Sequence, residues 1–157
     1  MDETIAWLRD RPYYEEQIAA ERTLDGRDAS FADLDLDLRV ASVLESEGID
    51  SLYDHQAAAV EAVRDGDHVV LATPTASGKS LAYTIPAFER ALDSRRTTLY
   101  IAPQVALIND QAETLSDLAQ GLGFASGVSV DRYTGRLSKT EKEQVRERQP
   151  TVLLTTP

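Results

Sequence analysis

The chain has 157 residues, no cysteine and a formal net charge of −11. The length suits one ordinary domain or a piece of a larger one, and the absence of cysteine excludes disulfide scaffolds and thiolate metal sites. No uncharged stretch approaches the ~18 apolar residues of a membrane helix, and the acidic start Met1-Asp2-Glu3 lacks the basic residues of a signal peptide, so a cytoplasmic protein with no membrane partner is expected.

The first 30 residues carry little pattern. Ile5, Trp7, Leu8, Tyr13, Tyr14 and Ile18 suit short helices broken at Pro12, and Leu24 to Asp28 reads as a turn. Between Phe31 and Val40 apolar and polar residues alternate, but Leu38, Ala41 and Leu44 fit a helix stopped by Gly48, and the helix is preferred. Asp54 can cap a helix that carries Ala58, Val60 and Val63 and closes at Gly66. Val69-Val70-Leu71-Ala72 reads as a buried strand. A loop follows, then a helix with Leu81, Ile85, Phe88 and Leu92 on one face, expected to be interrupted and kinked at Pro86. Thr98 to Ala102 is a second strand, and Val105, Ile108, Leu115 and Leu118 mark the next helix. Val128 to Tyr133 is a third strand, Lys139 to Arg148 a charged helix, and Val152 to Leu154 a fourth strand. Strands alternating with helices imply an α/β fold with a parallel sheet and right-handed crossovers.

The strongest motif is Thr73-Pro74-Thr75-Ala76-Ser77-Gly78-Lys79-Ser80, placed between an apolar run and an amphipathic helix. Backbone N–H groups of such a loop and the following helix N-terminus converge on one anion, here a triphosphate. Gly78 lets the backbone approach without a side chain in the way. Lys79 would set its ammonium between the terminal phosphates, and Ser80 would offer its hydroxyl to Mg²⁺. The strict pattern opens with glycine, and Thr73 stands there instead.

The wording of this loop resembles superfamily 2 helicases of the DEAD/DEAH-box type, most closely a DNA-repair branch. Thr75, Ser77, Gly78, Lys79 and Ser80 match that family's core, and Thr73 departs from its usual alanine. Leu52-Tyr53-Asp54-His55-Gln56 resembles the Q motif, with Gln56 lying 23 residues before Lys79. A glutamine amide offers both a donor and an acceptor, so Gln56 would read adenine, with Tyr53 near the ring. Ala102-Pro103-Gln104, running on to Gln111, resembles motif Ia, which grips a single strand's backbone. Many relatives carry threonine and then a basic residue where Gln104 and Val105 stand, which weakens the expected phosphate contact. Leu154-Thr155-Thr156-Pro157 resembles the family's Thr-Pro segment, and Tyr133-Thr134-Gly135-Arg136 resembles the turn after the third strand, with Arg136 a solvated surface charge.

The resemblance implies a RecA-like P-loop NTPase fold: residues 51–157 form a partial ATP-binding domain, preceded by a helical extension over 1–50. It implies ATP and Mg²⁺ as cofactors, with Thr75, Ala76, Ser77, Gly78, Lys79 and Ser80 around the phosphates, and Lys79 and Ser80 in the catalytic roles. It implies single-stranded or duplex nucleic acid, DNA favoured, as partner at Pro103, Gln104, Thr156 and Pro157. The family's Asp-Glu-x-His/Asp box has no counterpart, since the only Asp-Glu pair is Asp2-Glu3. The chain therefore reads as truncated, binding ATP weakly without turnover and needing a second RecA-like lobe for activity. Two alternatives stay open. One is a small P-loop nucleotide or metabolite kinase, for which Asp131 is the obvious acidic partner. The other is a stand-alone nucleotide-binding regulatory module.

The basic residues are 13 arginines and only 3 lysines against 27 dispersed acidic residues. That balance reads as a surface adapted to concentrated salt.

Overall fold

Val152-Leu153-Leu154-Thr155 (β5) is the central strand of a three-stranded parallel sheet. It pairs on one side with Thr98–Ile101 (β3) and on the other with Val130–Tyr133 (β4), in the order β3-β5-β4. Its alternate residues Val152 and Leu154 are buried, as a strand flanked on both sides requires. The computed structural model describes residues 2–20, 29–74 and 77–157. The turn expected at Leu24 to Asp28 lies outside the described residues.

Among the described residues six α-helices and a short ladder surround this sheet. Asp2–Arg9 (α1) ends before Pro12, and no second helix follows it over 13–20. Phe31–Ala32 (β1) pairs antiparallel with Leu52–Tyr53 (β2), setting Phe31 opposite Tyr53. Between them lies Leu38–Ser46 (α2), the preferred helical reading of that stretch. Asp54–Asp65 (α3) closes at Gly66 in the left-handed region, as expected. Its buried residues are Gln56, Ala57, Ala59 and Val60, whereas Ala58 faces solvent. Lys79–Ser94 (α4) continues through Pro86 to Ser94 instead of being interrupted there, and the proline is itself buried. Val105–Gly121 (α5) and Lys139–Arg148 (α6) complete the helices. Among the described helices none is long and apolar enough to cross a membrane.

One core joins these elements. Val60, Ile85, Ile108 and Leu154 are fully buried together, and Val40 and Leu44 of α2 belong to the same cluster. Gly121 meets α2 closely: a Cβ there would lie 3.0 Å from Val43. Arg64 ties α3 to α4 through both carboxylate oxygens of Glu89 (2.6 and 3.0 Å), and donates to the Asp35 carbonyl at 2.7 Å.

The expected buried strand at Val69 to Ala72 does not form. The segment pairs with no strand among the described residues, and Val70 is 92% exposed. Apolar side chains alone do not make a strand: the backbone needs a neighbour to complete its hydrogen-bond ladder. The sheet ends at β3, and a cleft of about 570 Å³ lies between Val69 and Leu71 on one side and Thr98 and Leu99 on the other.

Local capping explains where two helices begin. Ser138 accepts from the Glu141 amide, and Glu141 accepts from the Ser138 amide in return, which fixes the start of α6. Asp37 caps α2 by accepting from the Arg39 amide, and it pairs with the Arg39 guanidinium at 2.7 Å. Those bonds hold the Asp37 carboxyl at about 2, below the ordinary carboxylate range. A group lowered on folding stabilises the fold above its unfolded pKa and loses that contribution as pH falls through the folded value. Urea melts are therefore expected to show an Asp37-dependent loss of stability between about pH 4 and pH 2, with a smaller acid loss in Asp37→Ala.

Candidate functional site

The loop entering α4 is held from the side by the first turn of α3. Tyr53 stands at the N-cap position of α3, which places His55 and Gln56 within its first turn. The Gln56 amide nitrogen donates to the Gly78 carbonyl at 2.6 Å, and its oxygen accepts from the Tyr53 amide at 2.8 Å. His55 Nε2 meets the Ser77 carbonyl at 3.0 Å. Gln56 is 2% exposed, and in this conformation its amide is engaged with the loop. Reading a base would require that amide to turn.

Gly78 is the N-cap of α4 with φ +71°, a conformation that side chains disfavour. A Cβ at this position would lie 2.5 Å from Gln56 Nε2, so close approach and backbone conformation both demand glycine. Peptide planarity gives the contact a direction. The C=O of one residue and the N–H of the next point opposite ways across a trans bond. Fixing the Gly78 carbonyl toward α3 therefore turns the Lys79 N–H away from it.

Among the described residues no side chain caps α4, unlike α2 and α6, and no acidic residue occupies its first turn. The positive end of its dipole is thus left for another anion. Lys79 curls back into the loop. Its ammonium donates to the Thr73 carbonyl at 2.8 Å and to the Pro74 carbonyl, with the Ser77 hydroxyl at 3.3 Å. Thr73, the departure from the glycine pattern, bonds its hydroxyl to that of Ser77 at 2.7 Å, which closes the described part of the loop. Its φ is not positive, so a β-branched residue fits there without strain. Ser80 is half-buried and lines a cleft of about 660 Å³ together with Gln56, Gly78, Tyr53 and Phe31. Thr75 and Ala76 lie outside the described residues. This donor set fits a polyphosphate: a lysine whose partners among the described residues are neutral carbonyls and hydroxyls, and a helix start with no side-chain cap.

Phe31 and His55 were not singled out in the sequence. Their rings flank Tyr53 in one stack, with centroids 5.0 Å and 5.7 Å from it. Phe31 reaches this place through the β1–β2 pairing, a two-residue ladder with no signal of its own.

The second group of expected contacts gathers at the C-terminal rim of the sheet. Ile101, Thr155 and Tyr133 share one register level, so Pro103-Gln104, Thr156-Pro157 and Thr134-Gly135 leave the three strands side by side. Pro103, Gln104 and Pro157 are exposed and Thr156 is half-buried. Gln104 is the N-cap of α5, which also lacks a side-chain cap and an acidic first turn. Tyr83 of α4 donates to Gln111 of α5 at 2.7 Å and so joins the two uncapped helices. Burial, then the neighbouring Tyr100, raises the Tyr83 phenol above its ordinary range, which keeps it a donor.

The DEAD/DEAH box helicase family matches residues 53–157, two thirds of the sequence. The chain belongs to that family. It is 35% identical over 113 residues to the uncharacterized ATP-dependent helicase YprA of Bacillus subtilis, covering 71% of this chain and 15% of YprA. It is 30% identical over 144 residues to the ATP-dependent helicase HRQ1 of Saccharomyces cerevisiae, covering 91% of this chain and 13% of HRQ1. The helicase MrfA, in its crystal structure with DNA and AMPPNP, superposes with a TM-score of 0.85 at 30% identity, covering 100% of this chain and 22% of MrfA. The RecA-like helicase fold expected from the loop is thereby established. The chain spans less than a quarter of the length of each of these relatives.

Gln56→Glu keeps the shape and the bond from the Tyr53 amide but sets an acceptor against the Gly78 carbonyl. Urea denaturation at pH 7 is expected to show a loss of about 2–4 kcal/mol, the cost of an unsatisfied buried charge.

Proposed function

We propose that this chain is the ATP-binding part of an ATP-dependent helicase acting on nucleic acid, with DNA favoured over RNA. The observation that carries the reading is the uncapped start of α4, aimed by the Gly78–Gln56 bond and faced by the Lys79 ammonium. Ser77, Gly78 and the first-turn amides of α4 hold the phosphates, joined by Thr75 and Ala76. Lys79 leaves its carbonyl partners to neutralise the terminal phosphates, and Ser80 gives its hydroxyl to Mg²⁺. When bound, Mg·ATP supplies the γ-phosphoryl group whose hydrolysis drives the intact protein. Tyr53 packs near the adenine, while Gln56 keeps the Gly78 carbonyl and steadies the loop around the phosphates.

Pro103, Gln104, Thr156 and Pro157 hold the backbone of one strand at the sheet rim, where the uncapped α5 favours phosphate. With a net charge of −11 the protein gains little from broad electrostatic attraction, so these few directed contacts carry the binding. Turnover requires a second RecA-like lobe. A DNA-repair setting in the cytoplasm belongs to the same proposal, supported by the loop wording and by MrfA's crystallisation with DNA.

The kinase reading finds less support. Asp131 lies on β4, separated from β3 by the whole of β5, and pairs with Arg148 at 2.9 Å. Titration with a fluorescent ATP analogue and Mg²⁺ is expected to show saturable binding that Lys79→Ala weakens at least about tenfold, the loss of one strong charge-assisted contact. The chain by itself is expected to show no ATP hydrolysis stimulated by single-stranded DNA; robust stimulated turnover would contradict the need for a second lobe.

A further inference from the structure

The Gln56 bond fixes one peptide of the loop, and the peptide before it is fixed separately. His55 Nε2 lies 3.0 Å from the Ser77 carbonyl, which can only accept, so the imidazole carries its proton on Nε2. The ring does not hang free: it lies 9° from parallel to Tyr53 with centroids 5.7 Å apart, and Tyr53 in turn stacks on Phe31. Ser77 is turned by this bond in the same sense as Gly78 is turned by Gln56. With the Ser77 carbonyl drawn toward α3, the Gly78 N–H must point the other way across the planar trans peptide. Two successive side chains of α3 therefore set two successive N–H groups, those of Gly78 and Lys79, in one direction.

We propose that His55 is a positioning residue that orients the Ser77–Gly78 peptide so that the Gly78 N–H faces a bound phosphate. This rests on the reading of the loop as a phosphate site. It adds a residue one position before the glutamine of the Q motif, with a role distinct from base reading. A purely structural histidine would be replaceable by any ring that keeps the stack on Tyr53. The orienting role needs a donor at the Nε2 position and tolerates loss of the ring.

Two variants separate these roles. His55→Phe keeps the aromatic stack and removes the donor; His55→Gln removes the ring and returns an N–H at comparable reach. Affinities for Mg·ATP and for inorganic tripolyphosphate, measured by displacement of the fluorescent nucleotide, are expected to fall roughly tenfold in His55→Phe, with the melting temperature lowered by no more than the ~2–4 °C that one hydrogen bond is worth. In His55→Gln they should return to within about threefold of the parent. Parent-like affinity in His55→Phe, or equal weakness in both variants, would overturn the proposal. Binding by the parent that is insensitive to Lys79→Ala would instead sink the phosphate reading. The imidazole ¹⁵N spectrum of the protein alone judges the bond without any nucleotide. A protonated Nε2 with a bare Nδ1 supports it, and the opposite tautomer overturns it.

Discussion

Two adjacent carbonyls, those of Ser77 and Gly78, are held by the first turn of α3, and the geometry of the phosphate loop depends on them. Each bond on its own is worth about 1 kcal/mol net. Their larger effect is directional, since a planar peptide cannot have its C=O held one way without sending the neighbouring N–H the other. Gly78 is required by the same contact: its left-handed backbone starts α4, and its absent Cβ leaves the 2.6 Å approach of Gln56 possible. Sequence spacing enters here as physics. Gln56 and Lys79 are far apart along the chain because α3 must run its length, turn at Gly66 and return before the loop can fold against α3's own first turn.

The distribution of helix caps separates α4 and α5 from α2 and α6. α2 and α6 have their first-turn amides satisfied by Asp37 and Ser138. α4 and α5 do not, and these are the two helices whose starts carry the loop and the Pro103-Gln104 segment. The Tyr83–Gln111 bond spans the gap between them with a phenol that burial keeps protonated. It links α4 to α5, whose starts the proposal assigns to nucleotide and to nucleic acid respectively.

Much of the fold was legible in residue patterns. Gly66 announced a helix end because a cap is local chemistry, satisfied within four residues. β3 and β5 were legible as apolar runs because each found a ladder partner. Val69 to Ala72 had an equally good run and no partner, and no pattern within a segment reports what lies beside it. At the site, Gly78, Lys79 and Ser80 were legible because backbone approach and charge restrict the residue types allowed. The engagement of Gln56 with Gly78, the place of His55 and the stacking of Phe31 were not. Each depends on how α3 and the β1–β2 ladder dock against the loop, which is tertiary information.

The central claim is that a bound triphosphate is gripped by the amides at the start of α4 while α3 steadies the loop. Hydrogen–deuterium exchange of the chain with and without Mg·ATP tests it most directly. The account predicts that nucleotide slows exchange at residues 77–81 and, through the side-chain bonds, at the first turn of α3, with the far end of the sheet at β4 unaffected. Unchanged exchange at the start of α4, or protection appearing only elsewhere, would contradict it.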